Sequence, residues 1–254
     1  MNKLTSFNFP IIQSSFLCVA LLCGTACVNY GSKKPFDVTA TSESFSLEQT
    51  KDVDKQNWKL EFSEDFNAAE IGTEPEEIFI LDGDYTVQEL KLGNKALLLP
   101  GTPMGEFGLL FGPRIKDQNL ELSFSFLATK QGRRMPSVAA GIGGMRGYRM
   151  RLNPAIRKIV LSQDEVVLKE VAFSWTGGKW WNVRFRATAK EANQSTQLQI
   201  KLWPKMEKEP VDWFFSEKFK IEYEGGKCAL WGYPYSSKEI LFDDLMVLSS
   251  QQNK

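Results

Sequence analysis

Histidine is absent from all 254 residues of this chain. Its absence excludes Ser-His-Asp and Cys-His nucleophiles, most zinc sites and the most common general base of enzymes. The sequence also lacks a glycine-rich phosphate loop of standard spacing. These absences do not exclude a glycosidase, because glycoside hydrolysis needs only two carboxylates at a suitable separation.

Cysteine is scarce as well, and its placement points to export. Residues 1–26 have one early charge, an apolar run and small residues at the end, which is the pattern of a secretory signal peptide. Residues 24–27 (Gly-Thr-Ala-Cys) resemble the lipobox of bacterial lipoproteins. The resemblance implies that Cys27 is acylated and anchors the protein in the cell envelope, in the outer membrane. An ordinary signal-peptidase cut after Ala26, giving a periplasmic or secreted protein, is the alternative.

The state expected for the Cys228 thiol depends on whether Cys27 is acylated. If Cys27 carries lipid, Cys228 stands alone in the mature chain and no intramolecular disulfide is expected. Without lipid, a Cys27–Cys228 bridge is the other outcome. Since Cys228 precedes Ala229 and Leu230, we interpret it as a small buried side chain rather than a nucleophile.

Two further segments follow the signal peptide. Residues 27–56 are rich in Ser, Thr, Lys, Asp and Glu without apolar periodicity, which predicts a flexible tether. From residue 57 to 249 apolar and polar residues alternate, as in half-buried strands. The alternating sets are Trp58-Leu60-Phe62, Leu120-Leu122-Phe124-Phe126, Tyr148-Met150-Leu152, Trp181-Val183-Phe185, Leu198-Ile200-Leu202 and Phe219-Ile221-Tyr223. Short strands separated by Gly and Pro turns predict an all-β domain of two packed antiparallel sheets.

Several motifs make this domain resemble a concanavalin A-like, laminin G-type jelly roll of polysaccharide-degrading bacteria. They include residues 61–66 (EFSEDF), 179–181 (KWW), 201–204 (KLWP) and 240–247 (ILFDDLMV). The resemblance implies that the first and last strands lie side by side, which would place Asp65 near Asp243 and Asp244.

The same family includes enzymes. Its laminarinases carry Glu-x-Asp-x-x-Glu on one strand, and that spacing is absent here. The domain is also similar to the jelly-roll 3-keto-disaccharide hydrolases, although residues 65–68 (DFNA) depart from their usual Asn-Gly-x-Asp opening. The sequence therefore favours a protein that is not an enzyme, with a sugar-active hydrolase or lyase as the alternative.

Charge is segregated along the domain although the net charge is zero. Residues 61–89 hold ten acids and no base. For this part we expect either a structural Ca²⁺ site that uses Asp65, Asp243 and carbonyl oxygens, or solvated loop acids with Asp243 bonded to backbone.

The basic part of the chain, residues 114–158, holds ten bases and two acids. Arg149 and Arg151 share one strand face, and Arg184 and Arg186 share another. If those strands are neighbours, four guanidinium groups line one surface and suit the carboxylates or sulfates of an anionic glycan. The alternative is that these arginines pair with acids across the strands.

Among the seven tryptophans, three are the candidates for stacking on sugars: Trp180, which is out of phase with Trp181, and Trp203 and Trp231, which lie near turn residues. Trp58 and Trp181 are expected in the core. The sequence as a whole predicts a surface-exposed, non-catalytic glycan-binding lipoprotein without a nucleic-acid partner. A structural or protein-interaction lipoprotein is the further alternative.

Overall fold

The computed structural model describes residues 57–102, 105–235 and 238–252. The predicted signal peptide, the acylated Cys27 and the tether lie outside these residues. Within the described part no helix is long and apolar enough to cross a membrane.

Strands dominate the described chain, and only two short 3-10 helices occur in it, Lys91–Gly93 and Gly144–Arg146. The strands are β1 (Lys59–Glu64), β2 (Ile78–Ile80), β3 (Thr86–Glu89), β4 (Lys95–Leu99), β5 (Phe107–Ile115), β6 (Gln118–Ala128), β7 (Ser137–Ile142), β8 (Tyr148–Asn153), β9 (Lys158–Gln163), β10 (Val166–Ala172), β11 (Trp180–Lys190), β12 (Ser195–Pro204), β13 (Phe215–Phe219), β14 (Gly226–Tyr233) and β15 (Ile240–Gln251). The predicted all-β class is confirmed.

Two antiparallel sheets form the sandwich. Sheet A has the order β13-β12-β11-β6-β15-β4-β3, and β1 also pairs with β15. Sheet B has the order β10-β9-β8-β7-β14-β5-β2. Since Glu64 of β1 lies opposite Leu245 of β15, the first and last strands are neighbours, as the resemblance implied.

The core lies between the sheets and follows from the alternation of each strand. On β6 the side chains of Leu120, Leu122, Phe124 and Phe126 are buried in it, and Phe124 meets Phe242 of β15 with ring centroids 6.3 Å apart. Burial of such side chains is the main favourable contribution to folding, at about 25 cal/mol per Å² of apolar surface. The residues between them point outward, so each sheet also has a polar outer face.

Two expectations about strands were wrong. The alternation of Phe219, Ile221 and Tyr223 does not form a strand beyond Phe219, because side chains bind this backbone instead. Asn193 donates to the carbonyl oxygen of Tyr223 and accepts from its amide, each at 3.1 Å, and Thr196 Oγ1 donates to the Ile221 carbonyl oxygen at 2.8 Å. These bonds satisfy backbone groups of Ile221 and Tyr223 through side chains, without a partner strand.

Trp58 was also placed wrongly. It is half-buried on the outer face of sheet A, where its ring lies against the guanidinium group of Arg186 at 4.6 Å. Pairing between β1 and β15 shifts register between Leu60 and Phe62, so only Phe62 packs against the core. The expected in-phase alternation of β1 is broken by this irregularity.

Candidate functional site

The four arginines singled out in the sequence lie on different sheets. Arg149 and Arg151 belong to β8 of sheet B, whereas Arg184 and Arg186 belong to β11 of sheet A. The strands flanking β8 are β7 and β9, so the expectation of one surface with four guanidinium groups is wrong.

Arg184 and Arg186 are buried, with 3% and 1% of their surface exposed. Glu121 of β6 accepts from both: Arg184 Nη1 donates to its Oε1, and Arg186 Nε donates to its Oε2 at 2.6 Å. Arg184 Nη2 also donates to Glu209 at 3.0 Å. Burial opposes the charge of Arg184, but the two carboxylates outweigh it and raise the pKa. The cross-strand alternative therefore describes this pair, and neither guanidinium group is available to a surface ligand.

Aromatic rings close over this ion-pair network of sheet A. Trp213 lies 4.6 Å from the guanidinium carbon of Arg186, on which Trp58 also packs. Lys201 is buried beside it and donates to Glu209 at 3.2 Å. Charged groups, aromatic rings and strand backbone thus form a second packed layer outside the core.

The three candidate tryptophans have different environments. Trp203 is 6% exposed and Trp231 is 1% exposed, so the expectation that both would be accessible is wrong. Trp180 is half-buried and faces outward with Lys205 Nζ 5.2 Å from its ring, whereas Trp181 points into the core. The predicted opposite orientation of these two neighbours is confirmed.

The outer face of sheet B is built around Trp231. A Cβ atom at Gly141 of β7 would lie 2.7 Å from Trp231 Cζ3, and one at Gly108 of β5 would lie 2.8 Å from Cδ1. The indole ring thus lies flat across three strands, on positions where only glycine leaves room. Ala139 and Ala229 complete this small-residue floor.

Arginines cover the aromatic residues of β14 from above. The guanidinium carbon of Arg149 is 3.9 Å from the ring centroid of Trp231, and that of Arg151 is 3.7 Å from Tyr233. A third pair, Arg134 and Tyr235 at 4.5 Å, lies just beyond the end of β14. We call these three pairs the arginine–aromatic ladder.

Polar contacts orient the first two arginines of the ladder. Arg149 Nη1 donates to Glu106 Oε1 at 2.7 Å and to Tyr233 Oη at 3.4 Å. Arg151 Nε donates to Ser137 Oγ at 3.0 Å, while its two terminal nitrogens have no partner among the described residues. Stacking and the Ser137 bond therefore hold the guanidinium group on the outer face, with two terminal nitrogens that bind no described residue.

Charge on the ladder is not balanced within the described chain. Glu106 compensates Arg149, but neither Arg151 nor Arg134 has a carboxylate partner there. Burial raises the pKa of Tyr233 to about 12, although Arg151 and Arg149 lower it, so its hydroxyl keeps its proton. The ladder thus presents an excess of positive charge and guanidinium donors to a ligand, with the carboxylate of Glu106 at its edge.

The proposed calcium ligands bind protein groups. Asp65 Oδ1 accepts from the Asn67 amide at 3.0 Å, and Asp243 Oδ1 accepts from the Asp244 amide at 2.8 Å. Lys205 Nζ lies 3.4 Å from Asp243 Oδ2 and also donates to Asp244. No group of three or more Cys, Asp or Glu side chains in the described ranges could hold a metal ion. The calcium site stays a prediction without an assembled ligand set.

Sequence reasoning missed three residues of the ladder, Arg134, Tyr233 and Tyr235, and also Glu106, which accepts from Arg149. A signal for the two tyrosines was present, because Trp231, Tyr233 and Tyr235 alternate as residues on one strand face do. Gly232 and Pro234 interrupt this alternation with residues that are typical of turns, but β14 continues to Tyr233. No local pattern indicated Glu106 or Arg134, since both reach the ladder from other parts of the fold.

No protein-family model and no curated protein matches this chain. Solved structures do match. A basic winged bean lectin determined with Tn-antigen is 11% identical, covers 76% of this chain and 99% of its own, and superposes with a TM-score of 0.50. Peanut lectin is 12% identical, covers 76% and 99%, and gives 0.48. The carbohydrate-binding module CBM66 of Bacillus subtilis is 10% identical, covers 67% and 94%, and gives 0.44. Together with the two antiparallel sheets, the match to the winged bean lectin shows that the described chain has the concanavalin A-like jelly-roll fold.

Proposed function

We propose that the outer face of sheet B binds an anionic glycan and that the protein is a non-catalytic, lectin-like module. One observation carries the proposal: Arg151 is stacked on Tyr233 at 3.7 Å, and its two terminal nitrogens have no partner among the described residues. A guanidinium group held in this way can donate hydrogen bonds to the oxygen atoms of a ligand.

Carboxylate and sulfate are the acceptors that fit a planar fork, because two parallel N–H donors meet two oxygens of the same group. Stacking on Tyr233 and the bond to Ser137 fix the fork in advance, so little side-chain entropy is lost on binding. Arg134 and Arg149 lie on the adjoining ladder positions.

The fold is shared with lectins, but it does not identify the ligand of this protein. The basic winged bean lectin, a protein solved with Tn-antigen, shares the sandwich at 11% identity. Since fold alone does not imply function, it is the arginines of the ladder that favour an anionic ligand.

We further propose that Cys27 is acylated and holds the domain at the bacterial outer membrane. The support is the sequence of residues 1–27, with its apolar run and its lipobox-like ending. The predicted tether of residues 27–56 would let the domain reach polysaccharide away from the membrane surface.

Calorimetry with the mature chain tests the glycan proposal. We expect uronate and sulfated polysaccharides to bind and neutral glucans not to bind. Loss of the two charge-assisted bonds in Arg151→Ala should weaken binding by about tenfold or more. Arg151→Lys should restore only part of this loss, because an ammonium group keeps the charge but not the fork.

The matched control is Lys208→Ala, which removes an exposed cation from the loop that follows β12 on the other side of the sandwich. It should leave affinity unchanged. Equal weakening by Lys208→Ala and Arg151→Ala would reveal unspecific charge attraction and would contradict a built site. An absence of binding to every anionic polymer by the folded protein would contradict the proposal itself.

A further inference from the structure

A groove opens at the end of sheet B where β14 begins. Its volume is about 680 Å³, within the usual range of roughly 300–1,000 Å³ for ligand sites. We call it the end groove, and its lining includes Leu110, Arg114, Asp117, Gly144, Glu224 and Lys227. A second cavity beside it, of about 60 Å³, is too small for a sugar ring.

Glycine backbone builds the walls of the end groove. A Cβ atom at Gly226 would lie 2.9 Å from the Cα atom of Gly143, so the two loops touch backbone to backbone. The amide of Gly143 also donates to the Lys227 carbonyl oxygen at 3.1 Å. Gly144 has φ +74 and open space around its absent Cβ. Close backbone contact thus fixes the loops and leaves a free volume between them.

The end groove continues the ladder face. Leu110 lines the groove and also packs against the cluster that contains Trp231. Lys227, Trp231 and Tyr233 occupy alternate outward positions of β14, whose six residue steps from Lys227 to Tyr233 span about 20 Å. Groove and ladder therefore form one path that is far longer than a single sugar ring.

The two ends of this path differ in chemistry. The ladder presents donors, with the carboxylate of Glu106 as its acidic partner. The end groove presents both signs, and Arg114, Asp117, Glu224 and Lys227 have no ion-pair partner among the described residues. Separate acceptors and donors of this kind suit hydroxyl groups, because a hydroxyl both donates and accepts.

We propose that the ligand is a linear chain that runs along β14, with one sugar unit held in the end groove through its hydroxyls and the anionic groups of later units on the ladder. This inference rests on the proposed function, since it names the form of the glycan bound at that face. It distinguishes recognition of consecutive units within a polysaccharide from recognition of a single sugar.

Titration of the mature chain with size-defined uronate and sulfated oligosaccharides tests the proposal. We expect affinity to rise by about tenfold or more from the disaccharide to the hexasaccharide, because the longer ligand adds the hydrogen bonds of the groove. Glu224→Gln and Lys227→Ala should reduce the affinity for the hexasaccharide but leave that for the disaccharide unchanged. Arg151→Ala should reduce both.

A variant that fills the end groove tests the same proposal without changing a charge. Gly144→Asn places a side chain in the open volume of the groove, and Asn tolerates a positive φ better than most residues. It should remove the gain from chain length while the melting temperature stays near that of the wild type. Equal affinity for the disaccharide and hexasaccharide in the wild type, with Arg151→Ala still weakening both, would overturn the chain inference and leave the proposed function intact. If no oligosaccharide of either series binds, the proposed function fails and the inference fails with it.

Discussion

The outer faces of the two sheets use the same residue types in opposite ways. On sheet A, Arg184 and Arg186 are buried against Glu121, and two tryptophan rings cover Arg186. On sheet B, Arg149 and Arg151 lie on top of Trp231 and Tyr233. On sheet A the aromatic rings lie outside the arginine and cover it, whereas on sheet B they lie beneath the arginines and support them. An arginine therefore serves packing or presentation according to which side of it the aromatic ring occupies.

The position of the acids reinforces this difference. Glu121 lies within sheet A directly opposite Arg186, and each of its two oxygens accepts from one of the two guanidinium groups. Glu106 precedes β5 at the edge of the ladder and reaches only Arg149. The outer face of sheet A is thus closed to anions by its own carboxylate. On sheet B, Arg134 and Arg151 have no carboxylate partner in the described chain.

The largest expected effect comes from removing the buried acid. Glu121→Ala leaves Arg184 and Arg186 buried without their shared carboxylate, which should lower the free energy of unfolding by about 3–5 kcal/mol. Glu106→Ala, the matching change on the half-exposed acid of sheet B, should cost less than about 1 kcal/mol. Urea denaturation of both variants measures the difference. Similar losses in the two variants would break the comparison between the faces.

A smaller loss of stability is expected from adding a side-chain atom beneath the Trp231 ring. Gly141→Ala adds a Cβ atom 2.7 Å from Trp231 Cζ3, and the resulting shift should cost about 1–3 kcal/mol. Replacing the indole ring in a Gly141→Ala/Trp231→Leu double variant should relieve part of the clash, so the losses of stability should be less than additive in a double-mutant cycle. Purely additive losses would show that the indole ring does not rest on Gly141.

The smallest effect concerns pH and sheet A. Burial, followed by the neighbouring Asp244, raises the pKa of Asp243 to about 6 from its ordinary 3.8. Because the folded state binds this proton more tightly than the unfolded state, the stabilisation that it contributes is present below about pH 4 and is lost as pH rises through about 6. Asp243→Asn should therefore raise stability at pH 8 by on the order of 1 kcal/mol, with little gain at pH 4.

Thermal unfolding between pH 4 and pH 8 measures this gain, and Lys205→Met supplies the cross-check. Lys205 lowers the pKa of Asp243, so its removal should move the transition to higher pH. A gain from Asp243→Asn that is the same at every pH would disprove the assignment to this carboxyl group.

Much of the fold was predictable because alternation is a local property. The strands around Leu120–Phe126, Tyr148–Leu152 and Trp181–Phe185 show period two, and each buries the expected side. The segment of residues 219–223 has the same alternation, yet bonds from Asn193 and Thr196 to its backbone decide its course. Periodicity states which residues share a face but not whether a partner strand is present.

The site was predictable only in part. Arg149, Arg151 and Trp231 were singled out from the sequence, and the fold brings them together. Arg184, Arg186 and Trp203 satisfied the same criteria and are buried. The two groups cannot be separated by composition, because an alternating strand has the same sequence whether its outer face is covered by a loop or left open.

The sequence by itself determined the all-β class, the inward side of most strands and the absence of histidine chemistry, since these depend on residue type and spacing along one strand. The tertiary structure alone decided which sheet each arginine joined, which carboxylate it met and which aromatic ring lay above or beneath it. Those outcomes depend on strand order, and strand order is set by contacts between residues far apart in the chain, such as Glu121 with Arg186 and Arg149 with Trp231.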